Sequence, residues 1–217
     1  VDFSEASINL IKKRIGRGDR VFPSTTLHVC EANQVHVDQK EPIDTIILNS
    51  IIQYFPYESY LIDVLDNCIS MLKTGGRIII GDVRDLRLLK YFSSRLVLGR
   101  ELHSFSMKEA NWFVDQELLK ENELCVSPEF FNGLKLRYPQ IDHIDLQWKN
   151  SGFENELTLY RYTVVLHVSS NKKSVSPTWL SWGERAADVT EMIKGGVESI
   201  YVANVLNTRL WREKILK

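Results

Sequence analysis

The stretch 43–84 decides the fold. It reads IDTIILNSIIQYFP over 43–56, continues as an amphipathic segment, and ends with LKTGGRIIIGDVR over 72–84. Its two apolar, β-branched runs, Thr45–Leu48 and Arg77–Ile80, flank a segment long enough for about three to four helical turns. Continuous apolar runs are typical of strands buried inside a parallel sheet. The stretch therefore predicts a strand, a helix and a second strand parallel to the first.

The helix of this unit is predicted over about Tyr57 to Leu72. One helical stripe of that segment is apolar, and it comprises Leu61, Val64, Leu65, Cys68, Ile69 and Leu72. The pair Gly75-Gly76 is interpreted as the signal that ends the helix and turns the chain into the second strand.

Polar side chains follow both predicted strands. Asn49, Ser50 and Gln53 come after the first strand, and Asp82 and Arg84 come at the end of the second. Ligands of open α/β sheets bind beyond the carboxyl ends of the strands. The sequence therefore places a functional rim at this edge of the sheet.

The rest of the chain predicts an α/β fold of about five strands with a helical insert between Leu86 and Pro139. The predicted helices are Ala6–Ile15 (capped by Ser4), Leu86–Leu98 and one or two helices within Met107–Leu136; the further strands are Thr25–Val29, His143–Trp148 and Arg161–Val168, the last two joined by a polar hairpin, Lys149–Glu156. Residues 1–168 are predicted to form the core, and 169–217 a linker with an appendage, which includes a weak helix at about Ala186–Ile193 and a β-like run at Ile200–Val202.

Composition limits the classes of partner. The formal net charge is −1, so no basic surface indicates nucleic acid or anionic lipid. No apolar run reaches ~18 residues, which predicts a soluble, cytoplasmic protein without membrane contact. The three cysteines, Cys30, Cys68 and Cys125, are scattered, as in ordinary packing in a reducing compartment. No His, Cys or carboxylate cluster has the spacing of metal ligands, so no metal site is predicted.

Several stretches together resemble the methyltransferase domains of nonribosomal peptide synthetases and related polyketide hybrids. They are VDFS at 1–4, LNSIIQYFP at 48–56, YLIDVL at 60–65, GGRIIIGDVR at 75–84, NELT at 155–158, RYTVVLHV at 161–168, and NVLNTRL at 204–210, which is similar to the family's closing V-P-N-x-R-L. The combination of NSxxQYFP, GDVR and NELT is specific, although each motif alone is weak. The resemblance covers almost the whole chain and implies a Rossmann-like class I methyltransferase sheet, mixed with an antiparallel C-terminal strand pair.

The chain departs from that family at its beginning. A class I methyltransferase opens with a strand and a glycine-rich loop, E-x-G-x-G-x-G, and no such motif occurs in this sequence. The expectation is an N-terminally truncated domain that starts just after this loop. Because the first strand is normally central in the sheet, its loss exposes unpaired strand edges. A separate segment or another chain supplies the strand, or the sheet is rearranged.

The resemblance implies S-adenosylmethionine as the cofactor. The residues implied around it are Asp2 at the ribose hydroxyls, Glu31, Ala32 and Asn33 near the adenine, Asn49, Ser50 and Gln53 along the methionine end, and Tyr54 with Phe55 facing the adenine or the sulfonium. For Asp2 the alternative is a first-turn carboxylate that the helix dipole favours. For the two aromatic residues the alternative is plain core packing.

On the acceptor side the resemblance implies Glu156, with Asn155 beside it, as the group that orients the acceptor and takes its proton. The alternative for Glu156 is a solvated turn residue. Asp82 is a further catalytic candidate, and Arg84 and Tyr54 are candidates for substrate contact. The alternative for Asp82 and Arg84 is a salt bridge that fixes the loop.

Two classes of function remain open. The first is methyl transfer to an aminoacyl or peptidyl group tethered by phosphopantetheine to a carrier protein, among neighbouring synthetase domains. N-methylation is the first expectation and O-methylation the second. The other class is a non-catalytic scaffold or remnant that lacks the cofactor loop.

Overall fold

The computed structural model describes residues 1–17, 25–36, 43–99, 106–149, 152–169, 179–182, 189, 191–196, 200–203, 205 and 207–210. The helices are α1 Glu5–Gly16, α2 Glu58–Met71, α3 Leu89–Leu98, α4 Met107–Leu119, α5 Pro128–Arg137 and α6 Glu156–Leu159. The strands are β1 Ile43–Asn49, β2 Leu72–Arg84, β3 Ile141–Trp148, β4 Arg161–Val168, β5 Trp179–Ser181 and β6 Tyr201–Ala203. Single 3₁₀ turns lie at Ala32–Gln34, Ile52–Tyr54, Leu86–Leu88 and Thr208–Leu210.

Strands β1 to β4 form a mixed sheet in the order β1-β2-β4-β3. β1 and β2 pair in parallel, with Thr45 opposite Arg77 and Leu48 opposite Ile80, as the sequence predicted. β4 is antiparallel to both β2 and β3. The predicted α/β class with an antiparallel C-terminal strand pair is therefore confirmed, and helices α3 to α5 form the insert between β2 and β3.

One face of this sheet carries the main core. Helices α2 and α5 contribute to the same buried cluster as that face, which comprises Leu48, Ile78, Ile80, Val164 and Leu166 of the sheet, Leu61, Val64 and Leu65 of α2, and Phe131 and Leu134 of α5. The apolar run of β1 had predicted burial on both faces, and this is wrong for Ile47, whose side chain is 64% exposed. Successive side chains of a strand point to opposite faces, so Ile47 lies on the face away from this cluster.

The predicted strand Thr25–Val29 is reduced to one isolated parallel bridge between Asp2 and Val29. The described main sheet consequently has four strands instead of about five. The partner segment is too short for a ladder, because Ser4 already caps helix α1 through the Ser7 backbone N–H at 3.2 Å. Asp2 is the single residue ahead of α1 that pairs with this segment.

The interpretation of Gly75-Gly76 as a helix stop is also wrong. Helix α2 ends at Met71, and both glycines lie inside β2. Gly75 has a φ of +82°, and a Cβ on Gly76 would lie 2.9 Å from the Lys73 carbonyl oxygen. The register shifts here, so the glycines permit an irregular start of the β1–β2 pairing.

Some of the described residues beyond 168 form a strand pair or pack against earlier parts of the chain. β5 and β6 pair in parallel, so the β-like run at Ile200–Val202 is confirmed as a short strand. Leu210 is buried beside Leu159 and Tyr160. Within the predicted helix at 186–193, the described residues 189 and 191–193 are helical, and the other four lie outside the described residues. The division of the chain after residue 168 stays a prediction.

Two isoleucines on neighbouring strands test which face of the main sheet is buried. We expect Ile80→Ala to lower the free energy of unfolding by about 2–5 kcal/mol, because Ile80 is fully buried and its truncation leaves a cavity. The matched Ile47→Ala variant removes the same atoms from an exposed site and should cost less than about 1 kcal/mol. Urea unfolding of both variants measures the difference. Equal losses would contradict the assignment of the two faces.

Candidate functional site

The rim at the carboxyl ends of β1 and β2 is shaped by a β-bulge. Between the pairs Ile80–Val164 and Val83–Tyr162, β2 contains one residue more than β4. Asp82 lies in this bulge with a φ of +61°, and Ser50, just after β1, has a φ of +55°. Left-handed backbone at two non-glycine residues is costly and is concentrated at functional sites. The bulge therefore aims Asp82 at the end of β1.

The Asp82 carboxylate is held on both oxygens. The Ser50 hydroxyl donates to Oδ2, and the Lys149 ammonium forms an ion pair with Oδ1. The Ser50 backbone N–H also donates to the Gly81 carbonyl oxygen at 3.2 Å. Side chains from β2 and from the ends of β1 and β3 thus meet at one carboxylate, which confirms the physical proximity that the rim predicted for Ser50 and Asp82.

Lys149 was not predicted to belong to the site. It directly follows β3, and the only signal in the sequence was its position at a strand end on the rim side. Burial and the positive charge of Arg161 lower the pKa of the Lys149 ammonium. The adjacent Asp82 carboxylate favours the charged form of this group.

Gln53 supplies a buried acceptor at the same rim. Its side chain is 3% exposed, and its Nε2 donates to the Ser50 carbonyl oxygen at 3.0 Å. Its Oε1 atom is buried without a hydrogen-bond partner among the described residues. An unpaired buried acceptor is costly, so a donor such as an ammonium group of a bound ligand would be stabilised there. This atom fits the role predicted for Gln53 at the methionine end of a cofactor.

The two aromatic candidates differ in their surroundings. Tyr54 is 71% exposed, which places it outside the core. Phe55 packs against the main core, and its ring centroid lies 4.9 Å from that of Tyr60. Core packing, the alternative to a ligand contact, therefore describes Phe55 and not Tyr54.

The residues predicted for the adenine side contact helix α2 through Asn33. The Tyr60 hydroxyl donates to Asn33 Oδ1 at 3.0 Å, and the Asn67 amide donates to the Asn33 carbonyl oxygen. Ala32 packs against the core, whereas Glu31 is exposed. Helix α2, which follows β1, therefore fixes this 3₁₀ turn.

Asp2 is held next to the same turn by its bridge to Val29. Its Oδ1 atom accepts the Ser4 backbone N–H at 2.7 Å. Its Oδ2 atom has no hydrogen bond within the described part of the chain. The geometry accommodates both interpretations of Asp2, because one oxygen caps the start of α1 and the other remains for a ligand hydroxyl.

Arg84 is part of a buried ion-pair cluster. Its Nη1 donates to Glu121 Oε1 at 2.7 Å and to Glu123 Oε2 at 3.0 Å, and its guanidinium lies 5.3 Å from the centre of the Phe92 ring. The side chain is only 9% exposed. These contacts favour the alternative in which Arg84 fixes the loop after α4; substrate contact by Arg84 stays a prediction.

The segment predicted as a polar hairpin contains a helical turn, α6. Asn155 caps this turn: its Oδ1 accepts the Thr158 N–H, and its N–H donates to Thr158 Oγ1, both at 3.0 Å. Glu156 Oε1 accepts Nε of Arg161 at 3.1 Å and Nη2 at 2.5 Å. Glu156 Oε2 has no hydrogen bond among the residues described. The predicted pair is thus built on a capped turn, and one carboxylate oxygen faces no described partner.

Arg161 and Arg209 are further residues that sequence reasoning missed. Arg161 is buried at the start of β4, where its only signal was its place at the head of the RYTVVLHV motif. Arg209 belongs to the NTRL motif and donates to backbone carbonyls of Lys149 and Thr158. The partners of Arg209 are distant along the chain. The partner of Arg161 is Glu156, which lies in a helical turn that the sequence had not predicted.

The described residues offer neither a metal site nor a membrane-spanning helix. No group of three or more His, Cys, Asp or Glu side chains in the described ranges could hold a metal ion. None of the described helices combines the length and the apolar character that crossing a bilayer requires.

Comparisons with known proteins relate this chain to large synthetases. Chondramide synthase cmdD of Chondromyces crocatus is 39% identical over 142 residues, which is 65% of this chain and 4% of that protein. Nonribosomal peptide synthetase TES of Alternaria alternata is 34% identical and covers 77% of this chain, which spans 3% of the synthetase. Enniatin synthase of Fusarium equiseti is 27% identical, with 89% of this chain and 6% of that protein covered. No family model matches the chain.

Among solved structures, PKMT2 from Rickettsia typhi in complex with AdoHcy is similar over 79% of this chain and 44% of that chain, with 13% identity and a TM-score of 0.46. The curated relatives are many times longer, and this chain spans 3 to 6% of the three named above. The sequence of the chain is related to segments of nonribosomal peptide synthetases, and the resemblance predicted from its motifs is confirmed.

The close approach of Gly81 to Asn49 can be tested without any ligand. A Cβ on Gly81 would overlap Asn49 Oδ1, which is the end of an exposed side chain that can turn away, so we expect Gly81→Ala to cost no more than about 1 kcal/mol of unfolding free energy. Because the obstacle is a side chain, the double variant Gly81→Ala/Asn49→Ala should recover most of this loss. Urea unfolding of the two single variants and the double variant closes the cycle. Strictly additive losses would show that the two residues do not collide.

Proposed function

We propose that this chain, a segment related to nonribosomal peptide synthetases, is an S-adenosylmethionine-dependent methyltransferase domain that N-methylates an aminoacyl or peptidyl intermediate. The intermediate is tethered to a carrier protein within the same synthetase. The observation that carries the proposal is the meeting of distant motif residues at one edge of the sheet. Ser50 of the NSxxQYFP motif and Asp82 of the GDVR motif share a hydrogen bond, and Lys149 joins them.

The described residues are suited to the cofactor implied by the motifs. Asp2 offers a carboxylate oxygen for ribose hydroxyls, and the buried Gln53 Oε1 offers an acceptor for an ammonium group. The exposed Tyr54 ring is available to a positively charged group, which aromatic faces attract. When bound, S-adenosylmethionine supplies an electrophilic methyl group on a sulfonium. The protein then mainly aligns donor and acceptor and excludes water.

The acceptor side requires a group that takes a proton, because an α-amine arrives as an ammonium. Of the two predicted carboxylates, Asp82 is 8% exposed and is already paired with the Ser50 hydroxyl and the Lys149 ammonium. Glu156 has only Oε1 engaged, by Arg161, so its Oε2 can accept a proton from the substrate. This difference favours Glu156 as the proton acceptor.

O-methylation of a hydroxyl is the second candidate reaction at the same site. A non-catalytic remnant is the third possibility, since the sequence contains no glycine-rich cofactor loop. Calorimetric titration of S-adenosylhomocysteine separates the remnant from the enzyme, when it is done both with this chain and with the synthetase that contains it. Absence of binding in both would contradict the proposal.

The cofactor role of Asp2 gives a quantitative expectation. In the synthetase, Asp2→Ala should weaken S-adenosylmethionine binding by about 1–3 kcal/mol, because the ribose hydroxyls lose their hydrogen-bond partner. Ser4→Ala is the matched control: it removes the other cap of α1 and leaves the Asp2 carboxylate in place. Isothermal titration calorimetry measures both. Equal weakening by both variants would assign Asp2 to helix capping alone.

The acceptor role of Glu156 predicts a separation of rate from affinity. Glu156→Gln should lower kcat by about 10²–10⁴-fold, the usual contribution of a general base, with cofactor affinity unchanged. The assay is single-turnover methylation of a carrier-loaded aminoacyl substrate, read by intact mass. A wild-type rate in Glu156→Gln would show that Glu156 has only a structural role. Loss of cofactor binding would show that α6 lies on the cofactor side of the site and not on the acceptor side.

A further inference from the structure

The acceptor-side segment runs from Lys149, at the end of β3, to Thr158 in α6. One guanidinium joins its two ends: Arg209 Nη2 donates to the Thr158 carbonyl oxygen at 2.7 Å, and Nη1 donates to the Lys149 carbonyl oxygen at 3.3 Å. The donors of a guanidinium are fixed in one plane, so both carbonyls are held in a defined relation. Arg209 therefore cross-links the base of the segment.

The 3₁₀ turn that carries Arg209 is itself docked. Leu210 is 3% exposed and lies in a buried cluster with Leu159 and Tyr160. The Arg209 backbone N–H donates to Asn207 Oδ1 at 3.2 Å. The position of the guanidinium is consequently set by apolar burial on one side and by a local hydrogen bond on the other.

Both bound carbonyls belong to residues that lead to the predicted acceptor groups. Lys149 extends its ammonium to Asp82. Thr158 closes the capping box with Asn155, next to Glu156. A displacement of either carbonyl shifts the lysine or the capped turn that orients the glutamate.

We propose that Arg209 is a positioning residue that holds the acceptor side of the site from the far end of the chain. The inference rests on the proposed methyl transfer, because the groups it positions are those assigned to the acceptor. Arg209 acts through the backbone of Lys149 and Thr158 and does not touch the reacting atoms. The tail motif NTRL is thereby part of the site.

The test uses the synthetase that contains this chain, with Arg209→Ala and Arg209→Lys variants. Arg209→Ala should lower kcat by about 10²-fold, since displacements of about 1 Å have this effect, with the dissociation constant for S-adenosylhomocysteine unchanged. Millimolar guanidinium chloride should restore part of the turnover. Arg209→Lys should recover little, because one ammonium does not reproduce the planar fork that spans two carbonyls.

Leu210→Ala is the matched control, because it loosens the same turn by removing its apolar anchor. Its loss of turnover should not respond to guanidinium. Two results would make Arg209 a structural residue and overturn the inference. One is that guanidinium fails to restore turnover in Arg209→Ala, and the other is that this variant weakens cofactor binding as much as it slows turnover.

A second measurement separates this inference from the proposed function. Amide hydrogen exchange of α6 should become faster in Arg209→Ala, whereas exchange of the buried part of β2 should stay unchanged. A wild-type synthetase that methylates no carrier-bound amine or hydroxyl would overturn the proposed function. Unchanged exchange in α6 would overturn the role of Arg209, whatever the activity.

Discussion

The rim depends on the β-bulge near the end of β2. Without the extra residue between Ile80 and Val83, Asp82 would follow the alternation of the strand and point to one face of the sheet. The bulge gives Asp82 a positive φ and brings its carboxylate to the Ser50 hydroxyl. The strain at Asp82 persists because β2 is anchored in the core on both sides of the bulge, by Ile80 and Val83. The packed sheet thus stabilises a backbone shape that the rim residues alone would not adopt.

Interactions between segments that are distant in sequence hold the same rim together. Ser50 and Asp82 are 32 residues apart, and Arg84 binds carboxylates 37 and 39 residues away. Arg209 reaches back over 60 residues to the Lys149 carbonyl oxygen. Each contact joins segments that lie far apart in the sequence, so the site is assembled only when the sheet that brings them together has formed.

Periodicity predicted the strands β1 and β2, the helix between them and the helical insert, because these elements are set by local apolar patterns. It failed at Gly75-Gly76, where a glycine pair serves an irregular strand pairing, since turn and bulge signals use the same residue. It placed Ser50 and Asp82 on one edge, because the carboxyl ends of parallel strands meet there. It missed Lys149 and Arg161, because the ion pairs of these residues with Asp82 and Glu156 produce no periodic pattern in the sequence.

The electrostatics of the rim suit a positively charged ligand. Each described cation near the acceptor side has an acidic partner or a carbonyl: Lys149 pairs with Asp82, Arg161 with Glu156, and Arg209 binds two backbone oxygens. An unpaired cation at this position would repel a sulfonium across a few ångströms of low-dielectric protein. The carboxylate partners of Lys149 and Arg161 offset that repulsion, whereas Arg209 keeps its charge because its two carbonyl partners are neutral. Gln53 Oε1, which is buried, and Glu156 Oε2 have no hydrogen-bond partner among the described residues, and acceptors of this kind suit a ligand that carries hydrogen-bond donors.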